Sequence, residues 1–398
     1  MTKKQLLAQK LAELERKVRV IYVGSYIPRE CGIATFTKDL TNAINMLNPE
    51  NLAEIIALNE PLASRKYPWE VKYHIDQKDK KSYLKAADYI NQSSCEIVNI
   101  QHEFGIFGGK DGEYILLLMD LVKKPIITTL HTVLSSPKVH MKHILKKIAD
   151  KSDAMVVMIE EAAERLVKEY GVPAEKIVII PHGVPDISFS HSTSHKKKLR
   201  LDGKTIISTF GLLSSGKGIE NMILAMPEII KKNKDAKYLL IGETHPVIRK
   251  IEGEKYRQSL EKLCKDLKIV SHVKFINRYL SLDELIKYLQ ATDVYVTPYL
   301  NPEQITSGTL AYAVGAGKPC VSTPYIYAEQ VLAGGRGVIV PFRNPEKISE
   351  QVIELLSNRE KRIKMAKSAY LYGRNMTWHN VAFKYLNLFR YIIKNNES

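Results

Sequence analysis

The residues best equipped for chemistry lie in the run Phe210-Gly211-Leu212-Leu213-Ser214-Ser215-Gly216-Lys217-Gly218-Ile219-Glu220. The apolar, β-branched segment Thr205–Phe210 comes before it, and a helical pattern starting near Gly218 follows. A strand, a glycine-rich turn, a lysine and a helix start make a cradle for an anion. Backbone N–H groups and the positive helix end face it, and the lysine adds a mobile charge. The chemistry implied is the grip of a phosphorylated ligand in the second half of the chain. The GxxxxGK[ST] spacing of a P-loop is absent. The plainer reading of the same residues is a tight βα connection with an exposed lysine.

Further along, Tyr299-Leu300-Asn301-Pro302-Glu303-Gln304-Ile305-Thr306-Ser307-Gly308-Thr309-Leu310 follows another apolar run. Ser307-Gly308-Thr309 can open a helix and offer N–H groups to an anion, with Glu303 set to accept hydrogen bonds from ligand hydroxyls. Alternatively, Ser307 only caps that helix. The first half has three such strand ends. The loop ending Glu30-Cys31-Gly32-Ile33 is long for a βα turn, and Gly32 would let backbone approach a ligand before a helix N-terminus. Gln101-His102-Glu103-Phe104-Gly105 presents a His–Glu pair beside several glycines. His131 stands directly after the buried run Thr128–Leu130, where it can reach a ligand or hydrogen-bond beneath its own loop.

No metal set emerges. His182 and His245 stand in separate loops, His191 and His195 lie in a Ser- and Lys-rich stretch, and Asp76 and Asp79 lack the rest of a calcium loop. Cys31, Cys95, Cys264 and Cys320 form no CxxC pair, and no GxSxG occurs. These cysteines and the charged N-terminal residues, unlike a secretory signal, point to a reducing cytoplasm. The 398 residues carry a formal charge of +16. Such an excess suits anionic small molecules or peripheral contact with an anionic membrane at the inner face. No nucleic-acid-binding signature accompanies it.

The elements that must position these residues alternate. Strands are expected at Val18–Val23, Ala53–Leu58, Ile97–Gln101, Pro125–Leu130, Ala154–Ile159 and Lys176–Ile180. A second series is expected at Thr205–Phe210, Tyr238–Gly242, Val273–Ile276, Val294–Pro298, Pro319–Thr323 and Gly337–Val340, with helical patterns between most of them. Alternation of this kind means parallel sheets covered by helices. Two α/β, Rossmann-like, doubly wound domains facing across a cleft are expected, over 1–190 and 191–370. The Lys-rich Asp186–Gly203 reads as a linker, and an aromatic-rich C-terminal helix over 371–398 is expected to pack back on the first domain. Thr2–Lys17 also reads as an amphipathic helix.

Together these residues resemble a retaining, nucleotide-sugar-dependent glycosyltransferase of family 4 with the GT-B fold. Ile180-Pro181-His182-Gly183-Val184 is similar to that family's "IPNGV", Gly211–Gly218 to its phosphate turn "GRLxxxKG", and Ala316–Thr323 to "CGKPVVAT". Gly335–Pro341 is similar to "GxxGxLVP", and the loop Pro28–Thr37 marks a bacterial or archaeal subgroup. The resemblance implies a hexosyltransferase. Its donor is a nucleotide-diphospho-sugar of mannose or glucose type, its acceptor a saccharide or other hydroxyl, and no metal or cofactor is required. His131, Lys217 and Glu303 would be catalytic. Gly32, Gly211, Lys217, Arg278, Glu303, Ser307, Gly308, Thr309 and Leu310 would bind the donor, and Glu30, His102 and Glu103 would lie on the acceptor side. Two departures stand out. Leu212 replaces an arginine beside the first glycine, so Arg257 or Arg278 would have to supply the lost charge, and the second glutamate of the E-x7-E motif has no counterpart. A binding scaffold without catalysis, or a phosphorylase or epimerase on the same architecture, would share most of these motifs.

Overall fold

The computed structural model describes residues 16–61 and 65–397. The helix expected over Thr2–Lys17 lies outside these, apart from Arg16 and Lys17. The chain forms two compact units. The first runs to Gly183 and takes in Trp378–Ser398; the second is Val184–Thr377. The unit boundary therefore precedes the expected one at 190, and the returning segment begins at Trp378 rather than 371.

In the first unit, seven strands form one parallel sheet: β1 (Val20–Gly24), β2 (Glu54–Asn59), β3 (Val71–Asp76), β4 (Ile97–His102), β5 (Ile126–Leu130), β6 (Ala154–Val157) and β7 (Ile177–Ile179). Their order is β3-β2-β1-β4-β5-β6-β7. The order reverses at β1, which pairs with both β2 and β4. In a doubly wound sheet a crevice opens beyond the carboxyl ends of the strands at such a reversal. The residues after β1 and β4, including Glu30, Gly32, His102 and Glu103, therefore lie at the place where this topology binds ligands.

The second unit repeats the arrangement with β8 (Thr205–Phe210), β9 (Ala236–Ile241), β10 (Val273–Ile276), β11 (Val294–Thr297), β12 (Cys320–Ser322) and β13 (Gly337–Ile339). The order is β10-β9-β8-β11-β12-β13. Here the reversal falls at β8, beside β9 and β11. The turn carrying Lys217 follows β8, and the loop carrying Tyr299 to Thr309 follows β11.

Central strands such as β1 and β4 are buried along their whole length, so they read as continuous apolar runs. Edge strand β3 alternates Val71, Tyr73 and Ile75 with Lys72, His74 and Asp76, and was not expected. The Asp186–Gly203 stretch is not a free linker. It belongs to the second unit, and Lys196 within it is buried, donating to Asp293 Oδ2 at 2.6 Å and the Lys204 carbonyl at 2.7 Å.

The helix Trp378–Glu397 completes the first unit's core. Trp378, Val381, Tyr385, Leu386 and Phe389 join Val20, Tyr22, Phe36, Leu40 and Ile127 in one apolar cluster. The Tyr385 hydroxyl meets Thr129 Oγ1 at 3.0 Å, and Phe389 stands edge-on to Tyr22 with ring centroids 6.3 Å apart. Truncating a fully buried phenylalanine removes its transfer energy and leaves a cavity. Phe389→Ala is expected to destabilise the first unit by about 3–5 kcal/mol in urea denaturation followed by circular dichroism.

Candidate functional site

In the second unit the turn after β8 places Lys217 by two backbone constraints. Gly218 adopts φ +59°, and a Cβ there would come within 2.2 Å of the Pro298 carbonyl oxygen. Gly211 adopts φ +134°, with its Cβ position 3.1 Å from Thr309 Cγ2. The turn is stitched to the loop after β11 by the Leu300 N–H, which donates to the Gly216 carbonyl at 2.9 Å. Only glycine fits these close approaches.

Lys217 Nζ then lies 3.8 Å from the centroid of the Tyr299 ring. Among the described residues no carboxylate pairs with it. Part of the side chain remains exposed, but its ammonium end is crowded, and burial pushes its pKa down to about 8. The Tyr299 ring offers a weak electrostatic partner in place of an anion. Tyr299 is itself fixed: it stacks on Tyr325 at 5.5 Å, and its hydroxyl meets Thr309 Oγ1 at 2.8 Å. Ser307 Oγ caps the helix Gly308–Gly315 by accepting from Leu310 N at 3.4 Å, and it lies 3.2 Å from Thr309 Oγ1.

Gly211, Lys217, Ser307, Gly308 and Thr309 thus converge around Tyr299. Leu310 is a core side chain whose N–H is used by the cap, and Ser307 is buried as that cap, so both fix the start of the helix at Gly308 and Thr309. Arg278 does not join the cluster: it makes two hydrogen bonds to Glu284, at 3.1 and 2.8 Å, on the surface. Arg257 is engaged with Glu254 and Glu261. Neither replaces the charge missing at Leu212. Glu303 stands part-buried in the loop after β11, its N–H bonded to Asn301 Oδ1 at 3.1 Å. Tyr299 and Tyr325 were not expected at the site; the visible signal was a tyrosine following Thr297-Pro298 directly.

In the first unit, His131 follows β5, and its N–H donates to the His102 carbonyl at 3.0 Å. Its Nε2 lies 2.9 Å from Gln101 Oε1, while Gln101 Nε2 donates to Asn99. That polarity puts the proton on Nε2 and leaves Nδ1 as the acceptor. Burial, helped by His182 and His102, lowers the His131 pKa to about 3. At neutral pH His131 is therefore an uncharged hydrogen-bonding group. Phe36, from the helix Gly32–Leu47, stands edge-on to both His131 (4.9 Å) and His182 (5.1 Å).

His102 departs from expectation. It is fully buried between Phe104 and Phe107, at 5.1 and 5.8 Å, and neither ring nitrogen has a partner among the described residues. Burial lowers its pKa to about 3, so it is enclosed and neutral rather than presented to a ligand. Burial raises the pKa of Glu103, against hydrogen bonds from Thr132 Oγ1 and from Phe104 N at 3.1 Å. Gly32 opens its helix with no atom within 4 Å of a Cβ placed there, so nothing in the chain itself demands glycine. Glu30 is part-buried beside it. Among the described residues no group of three His, Cys, Asp or Glu side chains could hold a metal ion.

Two family models match the chain: "Glycosyl transferases group 1" over residues 191–372 and "Glycosyltransferase Family 4" over residues 68–186. Each unit thus carries a match to a glycosyltransferase domain, and the pair of parallel α/β units has the GT-B architecture. An uncharacterized glycosyltransferase of Methanocaldococcus jannaschii is 25% identical over 259 residues, 63% of this chain and 62% of its own length. A GDP-mannose-dependent phosphatidylinositol monomannoside mannosyltransferase of Mycobacterium tuberculosis is 23% identical over 235 residues, 56% of this chain and 58% of its own. The chain thus spans about three-fifths of the length of the curated relatives it matches. Among solved GT-B structures, Anabaena HepE in complex with UDP superposes with TM-score 0.72 at 13% identity, covering 92% of this chain and 98% of that one.

The depressed pKa of Lys217 sets a pH dependence. A bound diphosphate needs the protonated ammonium, which the free protein loses above about 8. Affinity for UDP or GDP, measured by titration calorimetry, is expected to hold near about pH 7 and to fall by up to ~10-fold per pH unit above the Lys217 pKa. Lys217→Arg should remove that fall, since a guanidinium stays charged throughout.

Proposed function

We propose that this GT-B glycosyltransferase moves a hexose from a nucleotide-diphospho-sugar to a hydroxyl of a saccharide or similar acceptor, with retention at the anomeric carbon. The observation that carries the reading is Lys217. It is a crowded ammonium without a carboxylate, held on Tyr299 at the strand-order reversal of the second unit beside Gly211 and Thr309. An uncompensated cation on a glycine turn fits a diphosphate that arrives with its substrate.

The bond that breaks joins the anomeric carbon to the diphosphate, so negative charge grows on the departing phosphate. Lys217 and the amides opening the helix Gly308–Gly315 meet that charge with little reorganisation. The departing phosphate oxygen takes the acceptor proton, so no strong base and no metal is required of the protein. His131, neutral and locked by Gln101, is suited to accept a hydrogen bond from a sugar hydroxyl through Nδ1. Glu303 would hold donor hydroxyls.

The named relatives support a nucleotide-sugar donor without agreeing on its base: the mycobacterial protein is named for GDP-mannose, and HepE was solved with UDP. We favour mannose. Among the described residues no helix is long and apolar enough to cross a membrane. With a charge of +16, a reversible contact with anionic lipid in the cytoplasm is the membrane association we propose.

A panel of GDP-mannose, UDP-glucose and ADP-glucose with mixed saccharide acceptors, read by nucleotide release, tests the proposal. One donor is expected to turn over, and Lys217→Ala to lower kcat/KM by about 100- to 1000-fold, the loss typical of removing one charge-stabilising group. Nucleotide release by no donor, together with no nucleotide binding, would refute transfer and leave a scaffold. Turnover of a sugar phosphate alone would indicate a phosphorylase.

A further inference from the structure

The loops after β1 and β2 hold a charge cluster that the donor site does not use. Arg29 lies just before the helix Gly32–Leu47, and its Nη2 is 3.4 Å from Glu60 Oε1. Arg65 Nη2 donates to the other oxygen of the same carboxylate at 2.8 Å. Both guanidinium groups are mostly enclosed, with side chains 11% and 17% exposed. Each also keeps a buried Nη1 that meets no hydrogen-bond acceptor among the described residues. Nearby, the Tyr67 hydroxyl donates to Asn59 Oδ1 at 2.5 Å. Burial raises the Tyr67 pKa, and Arg65 and Arg29 both act against that rise, which places its hydroxyl in the field of both cations.

Two guanidinium groups thus share the single carboxylate of Glu60. An enclosed donor without an acceptor is unfavourable, more so when charged, and two close cations repel. Two planar forks with inner N–H groups left over match the oxygens of a phosphate. The cluster sits beyond the carboxyl ends of adjacent strands β1 and β2, in the loops from which this topology builds ligand sites. A few residues on, at Gly32, the helix start stands open.

We propose that Arg29 and Arg65, held apart and oriented by Glu60, form a subsite in the first unit that receives a phosphomonoester carried by the acceptor. The proposal rests on the transferase reading and narrows its acceptor to a phosphorylated one, either a free sugar phosphate or a phosphate on a lipid. Glu60 shares the forks with the incoming phosphate and so weakens its binding.

Titration calorimetry on the full chain tests this with glucose 6-phosphate, glucose, and phosphatidylcholine vesicles with and without phosphatidic acid. Glucose 6-phosphate or phosphatidic acid vesicles are expected to bind, and glucose not. The tighter of the two phosphate probes identifies the source. Arg29→Gln and Arg65→Gln should each weaken binding at least ~10-fold, and Glu60→Gln should strengthen it several-fold, as expected for charge-assisted contacts freed of a competitor. Arg65→Lys, which keeps charge and loses the fork, should still weaken binding if the glutamine variant fails to fold. Three results would each overturn the proposal: equal binding by all variants, weaker binding in Glu60→Gln, or loss of the phosphate signal in saturating UDP or GDP. Nucleotide binding measured on the same samples separates the two ideas. Its loss in wild type counts against the transferase reading, whereas nucleotide binding with no phosphate binding counts against this subsite alone.

Discussion

The second unit's site depends on one interaction, the Lys217 ammonium lying on the face of Tyr299. Cation–π attraction is modest, on the order of 1–2 kcal/mol when desolvated. It holds the lysine in place without neutralising it. A carboxylate in the ring's position would bind the ammonium more strongly and would also have to be displaced by any diphosphate. The surrounding features serve this arrangement. Gly218 and Gly211 bring the turn close, Tyr325 supports the ring from behind, and Thr309 fixes its hydroxyl.

The first unit handles charge differently. His131, His102 and His182 are all buried with pKa values lowered by desolvation, so the imidazoles at the strand ends are uncharged at neutral pH. Positive charge is concentrated instead on the loops after β1 and β2, at Arg29 and Arg65.

Much of the fold was legible because buried parallel strands need unbroken apolar runs, as in β1, β4 and β8. Edge strand β3 escaped notice because one face is wet and Lys72, His74 and Asp76 interrupt the run. Lys217, Gly211 and Thr309 could be read from local spacing, whereas the Tyr299 ring reaches the lysine only through the pairing of β8 with β11. His102 was misread from its type; the phenylalanines at 104 and 107, which enclose it, were in plain view. The convergence of Arg29 and Arg65 on Glu60 could not be read from spacing, because it depends on the alignment of two neighbouring strands.

The helix Trp378–Glu397 fills the core of a unit whose sheet is built from the chain's first half, so the second unit is in effect inserted within the first. During synthesis, Val184–Thr377 can emerge and close its core while the earlier sheet still exposes the apolar surface meant for Tyr385 and Phe389. The first unit's sheet is therefore fully covered only once the helix Trp378–Glu397 has been made.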